Sequence, residues 1–145
     1  MNKNIKITAT ECLRRGNFVV ASIKDTKRIE SAAIFYFRLW HDGDVSRKKI
    51  ERNLTISHGY MKGYKSSKAI NDFCTLVFHE GSESFSIQSI EDEFISADEN
   101  CLSKLVFYTI SGTNKDAINV AKMLVPAASV SELIVLAKDL SFLQI

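Results

Sequence analysis

Between Ala33 and Asp44 the chain reads AIFYFRLWHDGD, and no other stretch limits the fold as strongly. Ile34, Tyr36, Arg38 and Trp40 alternate with Phe35, Phe37 and Leu39. Side chains on a strand point to opposite faces with period two, so one face would be wholly apolar and the other would carry a tyrosine, an arginine and the only tryptophan. β-Branched and aromatic residues suit a pleated surface, and Asp42-Gly43 is a strong hairpin signal because both residues tolerate positive φ. The pattern predicts a central strand opening a hairpin, with a helix as the weaker alternative.

The flanking sequence extends that expectation. Ile5 and Ile7 alternate with polar neighbours as a first strand, Phe18 to Ile23 reads as a second, and Val45 to Arg52 as the return strand of the hairpin. Leu54, Ile56 and His58 form another short alternation, and Gly59 to Ala69 reads as a loop. Ile70 to His79 is a further aromatic strand, with Phe73, Thr75 and Val77 opposite Cys74, Leu76 and Phe78; Glu80-Gly81-Ser82 turns it into Ser84 to Ser89. Short strands separated by turns imply a mainly β fold, an antiparallel sandwich over residues 1–96. From 97 to 145 the style changes: Leu105 to Ile110 reads as a strand, followed by two amphipathic helices. Ala117, Val120, Ala121 and Leu124 line the first, which Pro126 ends; Leu133, Leu136, Ala137 and Leu140 line the second, behind the capping-box form Ser129-x-x-Glu132.

Composition narrows the class. A hydrophobic content of 46% with a single proline belongs to a globular chain able to fill one core. The N-terminus lacks the apolar run of a secretory signal, and the C-terminal apolar region is broken by Lys122, Pro126, Glu132, Lys138 and Asp139, so a cytoplasmic protein without a membrane span is expected. Cys12, Cys74 and Cys101 show no Cys-x-x-Cys spacing and read as buried free thiols.

The run Phe35-Tyr36-Phe37-Arg38-Leu39-Trp40-His41-Asp42-Gly43, with the later Phe73 to Gly81 and Ser84 to Ile90, resembles an immunoglobulin-like or fibronectin-like β-sandwich accessory module. The likeness is to the triple-tyrosine type found in bacterial sensor and surface-polysaccharide biosynthesis proteins, over about residues 5–95. It implies a non-catalytic accessory role and carries over no catalytic residue.

Chemistry-bearing residues are sparse. His41, His58 and His79 lack the i, i+4 spacing of a helical metal site, and Cys74 with His41 or His79 is only a paper nucleophilic pair. Glu91-Asp92-Glu93 with Asp98-Glu99 lacks the spaced pattern of a calcium loop. Ser111-Gly112-Thr113 is not a P-loop and reads as a helix cap. No catalytic residue, metal site or cofactor is therefore expected.

Charge is more informative. Arg47, Lys48, Lys49, Arg52, Lys62, Lys65 and Lys68 crowd one stretch, interleaved with Tyr60 and Tyr64, whereas every charge from Glu80 to Glu99 is acidic. Aromatic and arginine groups dominate recognition patches. The expected contact surface is Tyr36, Arg38 and Trp40 with Arg47, Lys48, Lys49, Arg52, Tyr60 and Tyr64. The expected partner is a protein, with a saccharide as a further ligand class and nucleic acid the least favoured. The alternative role is a small bacterial immunity or inhibitor protein that neutralises a toxin by tight binding, which opposite charge lobes would steer.

Overall fold

The computed structural model describes residues 13–81 and 84–144, and it is helical. In chain order come β1 (Val19–Ser22), α1 (Arg28–Asp42), α2 (Asp44–His58), α3 (Tyr60–Glu80), β2 (Phe94–Ser96), α4 (Ala97–Ser111), α5 (Asn114–Leu124) and α6 (Val130–Lys138). Among the described residues the only sheet is an antiparallel ribbon of β1 and β2, with Val19 opposite Ser96 and Ser22 opposite Phe94. The mainly β fold class, the immunoglobulin-like sandwich and the resemblance to an accessory module are thereby overturned. The expected strand at Ile5 and Ile7, and Cys12, lie outside the described residues.

Burial shows why period two misleads. In the central run the buried residues are Ala33, Ile34, Phe37, Arg38, Leu39 and Trp40, while Phe35 is exposed. Spacings of three and four, from Ala33 to Phe37 to Trp40 and from Ile34 to Arg38, are those of one helix face. The second aromatic run behaves alike: Ile70, Phe73, Cys74 and Val77 are buried at i, i+3, i+4 and i+7 of α3. Leu54 and Ile56, neighbours on one strand face, are instead a buried and an exposed position of α2. The expected return strand from Val45 lies in α2, the expected loop from Gly59 to Ala69 is α3 from Tyr60 onward, and Leu105 to Ile110 is part of α4. Gly43, with φ of 123°, does use the freedom of the Asp-Gly pair, but to join α1 to α2.

Phe37 stacks on Phe73 at 5.2 Å and ties α1 to α3. Helix α4 contacts α1, α5 and α6. Both C-terminal helices are present: α5 buries Ala117, Val120, Ala121 and Leu124, and α6 buries Leu133 and Ala137. One cluster of buried side chains runs from Ala33 to Leu143, on both sides of residue 96.

The first turn of α4 anchors the chain before β1 and the irregular segment before β2. Ser96 caps it, its hydroxyl accepting from the Glu99 N–H at 3.1 Å while the Glu99 carboxylate accepts from the Ser96 N–H at 3.0 Å. Asp98 and Glu99 are each 1% exposed. Arg38 donates through Nε and Nη2 to Glu99 at 2.7 and 3.0 Å, and its Nη groups also reach the carbonyls of Asp92 at 2.5 Å and Phe94 at 2.8 Å. Arg15 donates to Asp98, which also accepts from the Gly16 N–H at 2.8 Å and the Ser86 N–H at 2.7 Å. Gln88 N–H donates to Glu99 at 3.1 Å. The expected strand from Ser84 to Ser89 is thus an irregular segment held by two carboxylates.

Removing one partner of a buried pair leaves an uncompensated charge and costs about 3–5 kcal/mol. Arg38→Leu is expected to lose stability on that order in urea unfolding. Arg38→Lys should recover only part of it, because an ammonium cannot hold planar acceptors on two sides. A loss below about 1 kcal/mol for Arg38→Leu would mean that the pair is not a structural anchor.

Candidate functional site

Helices α2 and α3 are joined by Gly59, whose φ of 87° makes the reversal. Near the turn Gly63 faces Thr55 so closely that an added Cβ would lie 2.6 Å from the Thr55 Cα. Further along, Arg47 and Asn71 line one cleft, so the two helices run antiparallel. Ser46, Ile50 and Leu54 face inward. Val45, Lys49, Arg52 and Ile56, at i, i+4, i+7 and i+11, share the outward face and are all exposed. Ile56 is 78% exposed, and across Gly59 stand Tyr60 at 82% and Met61 at 76%. Lys62 and Lys65 are exposed on α3 beside them. The hairpin end is therefore an apolar cluster with a cationic rim.

On the flank of the hairpin lies a cleft of about 230 Å³ walled by Trp40, Arg47, Tyr64, Ser67, Lys68 and Asn71. Trp40 is its rigid wall. The indole donates to Asn71 Oδ1 at 3.0 Å and stacks on Phe78 at 5.4 Å, and the Arg47 guanidinium lies 3.7 Å from its ring centroid. Arg47 Nε also donates to the Trp40 carbonyl at 2.7 Å, which fixes α2 against the end of α1. Lys68 pairs with Asp72 at 2.7 Å. That hydrogen bond, with the nearby charge, raises the Lys68 pKa above its ordinary value.

Of the residues expected at the surface, Lys48, Lys49, Arg52, Tyr60 and Tyr64 are exposed, and Trp40, Arg47 and Tyr64 meet in the cleft. Tyr36 is half-buried, edge-on to Phe35 at 5.2 Å, and burial raises its phenol pKa. Arg38 does not reach the surface; all its bonds are to Glu99 and to two carbonyls. The acidic lobe is also thinner than the sequence implies, since Asp98 and Glu99 are buried in ion pairs. Ile56 and Met61 carry much of the exposed apolar surface without being expected there. The stripe of 45, 49, 52 and 56 becomes visible once the segment is read at helical period.

The remaining chemistry is structural. Gly112 takes the left-handed conformation that ends α4, and Thr113 N–H donates to the Tyr108 carbonyl at 2.9 Å. His41 packs on Phe78 and His58 on Phe142. Among the described residues no group of three or more His, Cys, Asp or Glu side chains could hold a metal ion, and no helix is long and apolar enough to cross a membrane. The chain matches no protein-family model, and neither the curated proteins nor the solved structures give a significant match.

Cys74 is fully buried, and burial pushes its thiol well above the ordinary range. Burial likewise pushes Cys101 up to about 11. Because the thiolate is the reactive form, both should resist a thiol reagent at pH 8 while the protein is folded. In a Cys12→Ser variant, Ellman's reagent is expected to detect no thiol in buffer and both in denaturant. Prompt labelling of Cys74 in the folded protein would restore it as a candidate nucleophile.

Proposed function

We propose that this chain is a small interaction protein that works by docking the α2–α3 hairpin onto a partner protein. The observation that carries this reading is the apolar cluster of Ile56, Tyr60 and Met61, each more than three-quarters exposed, beside Lys49, Arg52, Lys62 and Lys65. An exposed apolar centre with a charged rim is the anatomy of a protein-binding surface. Lysines with tyrosines alone would suit phosphates and stacked bases equally well. Ile56, Met61 and Val45 offer nothing to a phosphate backbone and favour a protein. The complementary partner surface has an apolar centre and an acidic rim, and the cationic rim would speed the encounter at low salt.

Such a surface suits blockade of a single partner, the role of an inhibitor. The test is affinity capture with nuclease-treated lysate, comparing the wild type with Ile56→Ser/Met61→Ser and Lys49→Ser/Arg52→Ser. All four side chains are solvent-exposed, so both variants should fold. A partner protein retained by the wild type is expected to fall about tenfold or more on the apolar variant. On the charge variant it should be lost mainly through slower association. Equal retention by all three proteins, or recovery of nucleic acid alone before nuclease treatment, contradicts the reading.

A further inference from the structure

Resting on that docking surface, we infer that the cleft between α2 and α3 receives one acidic side chain, Asp or Glu, from the partner. Size is the first reason. Pockets for cofactors and drug-sized ligands occupy roughly 300–1,000 Å³, and this cleft of about 230 Å³ has room for a single side chain.

Its chemistry is the second. Asn71 Oδ1 is already occupied by the Trp40 indole, so the part of that amide left to bind a ligand is its NH2, a donor. Arg47 spends Nε on the Trp40 carbonyl and approaches Asp44 only to 3.9 Å through Nη1, which leaves its outer N–H groups with capacity. Lys68 stands at the rim, its ammonium held through Asp72. Glu51 is the one carboxylate in the lining, while Asp44 and Asp72 face Arg47 and Lys68 from outside it. A carboxylate entering beside the Arg47 guanidinium, which itself covers the Trp40 ring, would meet donors from both helices next to the buried Ile50, where charge-assisted hydrogen bonds are strongest. The cleft also reaches toward the hairpin end along α3, where its wall residue Tyr64 lies one turn from the exposed Tyr60, so one partner can fill it while covering the hairpin end.

Trp40 is the only tryptophan, so its indole N–H gives one assignable signal in the cleft. The experiment is a nitrogen-15 NMR titration of the full chain with N-acetylglutamate N-methylamide at fixed ionic strength, with the glutamine analogue as the neutral probe. Saturable movement of the Trp40 indole and Asn71 side-chain signals is expected with the acidic probe, at least tenfold weaker with the amide. Arg47→Gln should weaken the acidic probe about tenfold. Lys68→Gln, at a side chain 60% exposed and unable to disturb the core, should weaken it severalfold. Equal shifts from both probes, or unsaturable shifts spread over the surface lysines, overturn the inference. If they do so while capture still depends on Ile56 and Met61, the docking surface stands and only the acidic anchor is removed.

Discussion

Two adjacent carboxylates in the first turn of α4, Asp98 and Glu99, are the constraint on which the remaining structure rests. Both lie out of water, where an ionised carboxylate is tolerated only if it is paired and its oxygens are hydrogen-bonded. Arg15 and Arg38 supply the charges, and the backbone N–H groups of Gly16, Ser86, Gln88 and Ser96 supply further donors. The position also suits them electrostatically, because a helix N-terminus favours negative charge. Since Asp98 and Glu99 are neighbours in sequence, one helical turn gathers the chain before β1 and the irregular segment before β2. Neither segment has enough regular backbone pairing to hold itself in place.

The same anchor sets the candidate site. Arg38 belongs to α1, two residues before Trp40, so fixing its guanidinium on Glu99 fixes the rotation of α1 about its axis. That rotation lays the indole against Phe78 on one side and Arg47 on the other, and aims its N–H at Asn71. Arg47 and Asn71 are the inner walls of the α2–α3 hairpin. The outward stripe of Val45, Lys49, Arg52 and Ile56 therefore faces solvent as a consequence of contacts made on the opposite side of the pair. Close backbone approach at Gly63 keeps the two helices together and the hairpin end narrow.

Only the C-terminal helices and the basic segment are legible in the residues, and the failure over the rest of the fold has a specific physical origin. The C-terminal helices were readable because α5 and α6 are amphipathic at period 3.6 and the first stops at Pro126. In the central run, AIFYFRLWHD, nearly every position is large or apolar. Period two and period 3.6 then fit equally well, and aromatic content tips the reading toward strand. What breaks the tie is Arg38: on a strand it shares a face with Tyr36 and Trp40 as a recognition group, whereas in the helix it points inward to Glu99. Its partner lies 61 residues away, and no local pattern announces such a pairing. A closer signal was present in Ser96-x-x-Glu99, a capping box that marks the start of α4 ahead of an apolar run. The basic character of residues 47–68 was readable without the fold. That its apolar members gather at one end was not, because it depends on the helical turn at Gly59.

The most direct test of the anchor is native-state hydrogen exchange on the wild-type chain. Gly16, Ser86 and Gln88 lie outside helices and strands, and Ser96 lies at the end of β2; amides so placed ordinarily exchange fast unless a buried acceptor holds them. If Asp98 and Glu99 organise the fold as described, these four N–H groups exchange together, at rates close to those of the α4 core. Exchange at exposed-loop rates while α4 stays protected would show that the helices stand without the carboxylate anchor, and would contradict the account.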